Sequence, residues 1–111
     1  MEQNKKELIK DYKNRKIVGG VYKITNAKTD SYWIGSSLDI DKITNRFNFT
    51  KATNTYFSLD MQAEWDEYGA EAFSLEILER LERKPEQQDK DFKEEVKLLE
   101  EMYRRSNHER S

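Results

Sequence analysis

The sequence predicts an α+β domain, with a three-stranded antiparallel sheet flanked by helices. Three observations carry this. Two short runs rich in β-branched and aromatic residues, 21–26 and 31–35, flank the polar stretch 27–30. A third run, 72–79, alternates apolar and polar residues. The segments between and after them place apolar residues at helical spacing. A sheet with one or both faces apolar needs helices to cover it, and these helices have the stripes to do so.

In chain order, residues 2–15 are rich in Lys, Glu and Gln, with Leu8, Ile9 and Tyr12 as the large apolar residues. They predict a short, mostly exposed helix that Gly19-Gly20 would break. Residues 21–26 and 31–35 then pair as a hairpin. Asp39 is placed to cap a helix over 40–51, whose Ile40, Ile43 and Phe47 share a face. Asn54, Thr55 and Ser58 mark a loop before a helix over 59–68, with Met61, Trp65 and Tyr68 on one stripe and Gly69 as its stop. In the strand 72–79, Phe73, Leu75 and Ile77 point one way and Ser74, Glu76 and Leu78 the other. Residues 80–90 are charged and hold the single proline, Pro85. They form either a connection or the start of the last helix. That helix spans 91–105 with Phe92, Val96, Leu99 and Tyr103 in line, and the last residues fray. The organisation expected is a helical extension (1–17), one domain (18–106) and a short tail (107–111).

A length of 111 residues favours a single domain with a modest core. Charged residues reach 38% against 35% hydrophobic, yet the apolar residues are periodic, which points to a globular chain rather than a disordered one. No apolar run is long enough to span a membrane, and the charged N-terminus lacks a signal-peptide core. With no cysteine, thiolate catalysis and Cys-ligated metals are excluded. The expected location is cytoplasmic. Charge is unevenly spread. Residues 1–53 carry 11 Lys/Arg and 6 Asp/Glu, and residues 54–111 carry 9 and 16. A basic first half can approach phosphates and an acidic second half can hold a cation, although two solvated faces of opposite sign give the same counts.

The hairpin reads Gly20-Val21-Tyr22, ten residues, then Trp33-Ile34-Gly35-Ser36-Ser37. Further on come Trp65, Tyr68-Gly69, Phe73 and Ile77-Leu78-Glu79. This pair of blocks resembles the signature of the GIY-YIG nuclease family, over residues 18 to about 105. The leading tyrosine of the second half is replaced by Trp33. The resemblance implies hydrolysis of a nucleic-acid phosphodiester with one divalent ion, Mg²⁺ or Mn²⁺, and DNA as the expected partner. No membrane partner and no oligomeric state are implied.

Such chemistry needs a carboxylate for a hard cation, a group near the attacking water and a cation for the charged phosphate. Tyr22 matches the family's first catalytic tyrosine; an aromatic packed on a half-buried strand would read the same. Trp33 occupies the second tyrosine's position. Its indole cannot act as a base but can stack or line a pocket. The neighbouring Tyr32 should face the other way. Arg46 is the arginine of the first long helix, about one turn beyond the family's position, which a gapless count puts at Ile43. Thr50 lies one turn further, and Tyr56 is a candidate substrate-binding substitute for a family histidine. Glu100, three residues before Tyr103, matches the metal carboxylate. Independently, it lies about 70° from the centre of the last helix's apolar stripe, whereas Glu101 lies about 170° away. His108 and Asn107 sit in the tail and match no role convincingly.

Two readings follow. One is a divergent metal-dependent endonuclease domain. The alternative is a catalytically degenerate nucleic-acid-binding or interaction module of the same fold.

Overall fold

A computed structural model describes residues 17–110, with side chains described through Ser106. The predicted first helix therefore lies outside the described residues, as do the side chains of Asn107 and His108.

Strand β1 (Val18–Asn26) is central, with β2 (Tyr32–Ser37) and β3 (Phe73–Glu82) antiparallel on either side, in the order β2-β1-β3. The sequence placed the start of β1 at Val21. Gly19-Gly20, read as a helix breaker, instead lie inside the strand. A side chain on Gly20 would sit 2.2 Å from the Glu79 carbonyl oxygen, so glycine is what lets β3 approach there. The β1–β3 register shifts between Val21 and Tyr22, leaving Leu78 as the extra residue of a bulge. Bulges bend a strand and re-aim side chains, and this one adjoins Tyr22.

The hairpin turn is held by Asn26, which is fully buried. Its amide donates to Glu64 Oε1 at 2.8 Å, and its Oδ1 accepts the Lys28 N–H at 2.9 Å. Tyr22 pairs with Gly35 and Ile24 with Trp33. Alternation therefore puts Tyr22, Ile24, Trp33 and Gly35 on one face, as the paired signature predicts.

Helix α1 (Ile40–Thr53) covers that face with Ile40, Ile43 and Phe47, all buried. Asp39 holds the N-cap position but makes no side-chain cap bond. The Ser37 hydroxyl bonds the backbone of this N-cap residue, accepting the Asp39 N–H at 3.0 Å and donating to its carbonyl at 2.9 Å, which fixes the entry to the helix. The helix ends at Asn54, in the left-handed region at φ 55°. The predicted helix over 59–68 is split. A 3₁₀ turn (Leu59–Met61) leads into α2 (Gln62–Tyr68), and Gly69 stops it at φ 83°. Met61 and Trp65 are buried, while Tyr68 is exposed. Trp65 stacks on Phe73 with centroids 4.5 Å apart.

The last helix, α3 (Asp89–Arg110), begins earlier and runs further than its apolar stripe indicated. It packs against β1 and β2. Phe92 and Val96 are buried, as are Val21 and Ile34 on the opposite sheet face from Tyr22. Asp89 and Asp91 in its first turn suit the positive end of the helix dipole. Among the described residues no helix is long and apolar enough to cross a membrane. The fold is thus the expected α+β arrangement, with the sheet held between α1 and α2 on one side and α3 on the other.

Candidate active site

Strand β2 is an edge strand, and a cleft of about 580 Å³ opens along it. Tyr22, Trp33 and Gly35 line it from the α1 side, Phe57 and Asp60 from the loop before α2, and Arg104 from α3. The cleft therefore brings together residues distant in sequence at the sheet edge.

The Tyr22 ring lies directly over Gly35. A Cβ on Gly35 would fall 2.5 Å from the Tyr22 Oη and 2.6 Å from its Cζ. The glycine of the signature is thus the floor on which the phenol rests. Gly35→Ala is expected to push the ring out of the cleft. The tip of the phenol is free to swing, so stability should change little while any activity needing Tyr22 falls at least about tenfold, the equivalent of ~1.4 kcal/mol in a barrier. Single-turnover rates beside thermal melts check this; unchanged rates would mean that the seat is irrelevant.

Burial pushes the Tyr22 phenol above its usual range; Arg46 pulls it back, Glu100 pushes it up and Arg104 again pulls it down. Three charges from two helices thus act on one hydroxyl. Arg46 reaches this neighbourhood through Phe57. Its Nη2 donates to the Phe57 carbonyl at 2.7 Å, and its guanidinium sits 4.4 Å from the Phe57 ring centroid. That ring meets Tyr22 edge-on at 6.0 Å. Ile43, where a gapless count put the family's arginine, is buried in the core. A charged side chain there would be desolvated, which is a physical reason for the cation to be placed elsewhere.

Trp33 packs on Phe73 with centroids 5.9 Å apart and forms a cleft wall. Tyr32 lies under Lys23 at 4.7 Å, on the strand face alternation predicts, yet at the sheet edge it also borders the Tyr22 cleft. Tyr56 is exposed and does not line the cleft; its neighbour Phe57 does.

Glu100 borders the buried face of α3 and Glu101 faces solvent, as the helical angles indicated. The Glu100 side chain is 22% exposed. Its carboxylate does not itself line the Tyr22 cleft but the adjoining groove, with Ser36, Lys93 and Lys97. Oε1 accepts from the Ser36 hydroxyl and Oε2 from Arg104 Nε at 2.8 Å. A carboxylate offers about four lone-pair positions, so roughly two remain. Among the described residues no group of three or more His, Cys, Asp or Glu could form a dedicated cage. A single carboxylate still suits Mg²⁺ or Mn²⁺, which keep several waters and take phosphate oxygens as further ligands. Glu100 fits that limited role.

Two contributors escaped the sequence reading. In the sequence Ser36 is legible only as part of the hairpin motif, and Arg104 belongs to no motif. Arg104 carried a legible signal, since Glu100 and Arg104 are an i,i+4 pair of the favourable orientation.

The sheet order and the charged edge cleft together define an α+β domain with a three-stranded antiparallel sheet and a candidate site at its β2 edge. No protein-family model matches the chain, and no curated protein matches it. Among solved structures, the chain is similar to the catalytic domain of homing endonuclease I-TevI, with 25% identity over 73% of this chain and 87% of that one, at a TM-score of 0.45. A glutamate-to-alanine mutant of the catalytic domain of intron endonuclease I-TevI gives 23% identity, coverage of 75% and 84%, and a TM-score of 0.46.

Proposed function

We propose that this domain is a divergent metal-dependent endonuclease of the GIY-YIG type, hydrolysing phosphodiester bonds in DNA. The observation that carries this reading is the Tyr22 hydroxyl, seated on Gly35 in an open edge cleft and acted on by Arg46, Glu100 and Arg104 together.

With its pKa raised, Tyr22 is a neutral phenol at pH 7. Its role is to hold and orient the attacking water by hydrogen bonding, rather than to stand as a preformed phenolate. Arg46 contributes positive charge to the same region and braces the Phe57 wall. Trp33 contributes a flat apolar surface on which a base or sugar can rest, and no proton. Glu100 would hold the divalent ion through its remaining lone pairs. When bound, the ion supplies Lewis acidity to the phosphate oxygens.

The alternative, a binding module without cleavage, draws on the absence of a titratable group at Trp33. One assay separates the two. Purified protein is incubated with single-stranded, duplex and branched DNA, with Mg²⁺, with Mn²⁺ and with chelator. Cleavage that needs the ion is expected. DNA binding without cleavage under every ion condition would overturn the enzyme reading in favour of the module.

A further inference from the structure

We propose that Arg104 is the phosphate-binding arginine of the cleft, a role that neither its position on the last helix nor the hairpin signature announces. This deepens the nuclease reading and rests on it for the identity of the substrate.

The cleft that holds Tyr22 is lined by one cationic side chain among the described residues, Arg104. Arg46 lies close by but is otherwise engaged, bonded to the Phe57 carbonyl and stacked on the Phe57 ring. Arg104 is held differently. Its Nε donates to Glu100 Oε2, and its Nη2 donates to the Ile34 carbonyl on the outer edge of β2. Those two bonds use the side edge of the guanidinium. A guanidinium has five N–H groups in a rigid plane. The end edge, formed by Nη1 and the second N–H of Nη2, is therefore left for a ligand, and the side chain is 57% exposed.

A fork fixed by two protein acceptors and open at its end is preorganised for two oxygens of one tetrahedral anion. The cleft's aromatic walls, Tyr22 and Trp33, suit the sugar and base on either side of that anion. A phosphodiester has both parts, whereas a free carboxylate would leave the walls unused. Glu100 then has a second task. By gripping Nε it orients the fork, so the ion-holding carboxylate and the phosphate-holding arginine are set by one contact.

The test uses the whole chain labelled with ¹⁵N and dimethyl phosphate as the phosphodiester probe, followed by NMR at the Arg104 Nε–H. A saturable shift at Arg104, with none at Arg105, is expected. In Arg104→Gln, where that N–H is gone and the shift is followed instead at the backbone amide of cleft-lining Gly35, the half-saturation concentration should rise at least about fivefold, while Arg104→Lys, which keeps the charge without the fork and is followed the same way, should fall between. Single-turnover DNA cleavage should drop on the order of a hundredfold in Arg104→Gln and stay unchanged in Arg105→Gln. An unmoved Arg104 signal, or cleavage by Arg104→Gln equal to that of Arg105→Gln, would overturn the assignment while leaving a cleaving wild type, and with it the nuclease reading, intact. A shift at Arg104 in a protein that cleaves no DNA would do the reverse, keeping the phosphate site and removing the nuclease. Should Arg104→Gln fail to fold, the Arg104→Lys intermediate decides the matter alone.

Discussion

Glu100→Gln is expected to abolish ion-dependent cleavage, by on the order of a thousandfold, while DNA binding falls little. A bound ion contributes several kcal/mol of charge stabilisation, and Glu100 is the carboxylate placed to hold it. Glutamine keeps the shape and can still accept from Ser36, so the junction between α3 and β2 should survive. What it loses is the negative charge that attracts a hard cation and the second oxygen, which accepts from Arg104 Nε. Glu101→Gln, one residue away on the solvent side, is the control and should cleave normally. The same variant has an ion-free readout. Glu100 is one of the causes that raise the Tyr22 pKa, so removing its charge should lower that pKa. The sign for stability follows. A phenol whose folded pKa lies above its unfolded value of about 10 stabilises the fold fully below that pH, and the contribution is lost as pH rises through the folded value. Glu100→Gln should narrow that alkaline window. Alkaline titration of the phenol, followed without divalent ion, checks it. Wild-type cleavage by Glu100→Gln would reduce Glu100 to a clasp between helix and strand.

Much of the architecture was legible because it rests on local periodicity. The β-branched and aromatic runs of the first two strands, the alternation of the third and the stripes Ile40–Ile43–Phe47 and Phe92–Val96 each point to one structural solution. That Tyr22 and Trp33 sit on neighbouring antiparallel strands and face the same side followed from the paired hairpin motif, whereas the register that sets Tyr22 opposite Gly35 did not. Element ends were less legible. Gly19-Gly20 looks like a breaker in one dimension, and only the close approach of Glu79 shows why glycine belongs inside a strand. Asp39 has the residue type and the extended backbone of a cap, yet its side chain makes no cap bond, and the Ser37 hydroxyl holds Asp39's own backbone instead.

The site divides along the same line. Tyr22 and Glu100 could be nominated from motif and helical angle. Arg104 could not be weighed without knowing that α3 crosses behind β2 and brings its last turns to the sheet edge. An edge strand exposes carbonyls that need donors. Arg104 answers that need at Ile34 and, through the same geometry, enters the Tyr22 cleft. The function proposed for it is therefore a consequence of tertiary placement; the sequence around residue 104 carries only its i,i+4 pairing with Glu100.

Trp65→Ala is expected to destabilise the domain by about 3–5 kcal/mol, the range for truncating a buried large aromatic. Trp65 is 2% exposed and stands between Phe73, stacked at 4.5 Å, and Phe47, edge-on at 6.3 Å. Phe73 in turn carries Trp33, and Phe47 packs toward Phe57, the partner of Tyr22. The indole is thus the middle of an aromatic run whose two ends form walls of the cleft, and its loss should loosen the site before it unfolds the chain. One feature tempers the cost. The Trp65 Nε1 is buried with no hydrogen-bond partner among the described residues, and an unpaired buried donor costs about 1–3 kcal/mol. Trp65→Phe removes that donor, keeps a ring against Phe73 and leaves a smaller void. It should therefore stay within about 1.5 kcal/mol of wild type, far less than alanine. Denaturant titrations of the two variants, read at unchanged m-value, measure the difference. An alanine variant within about 1 kcal/mol of wild type would place Trp65 at the periphery of the core. A phenylalanine variant as damaged as alanine would show that the indole N–H is satisfied in solution and contributes to the fold.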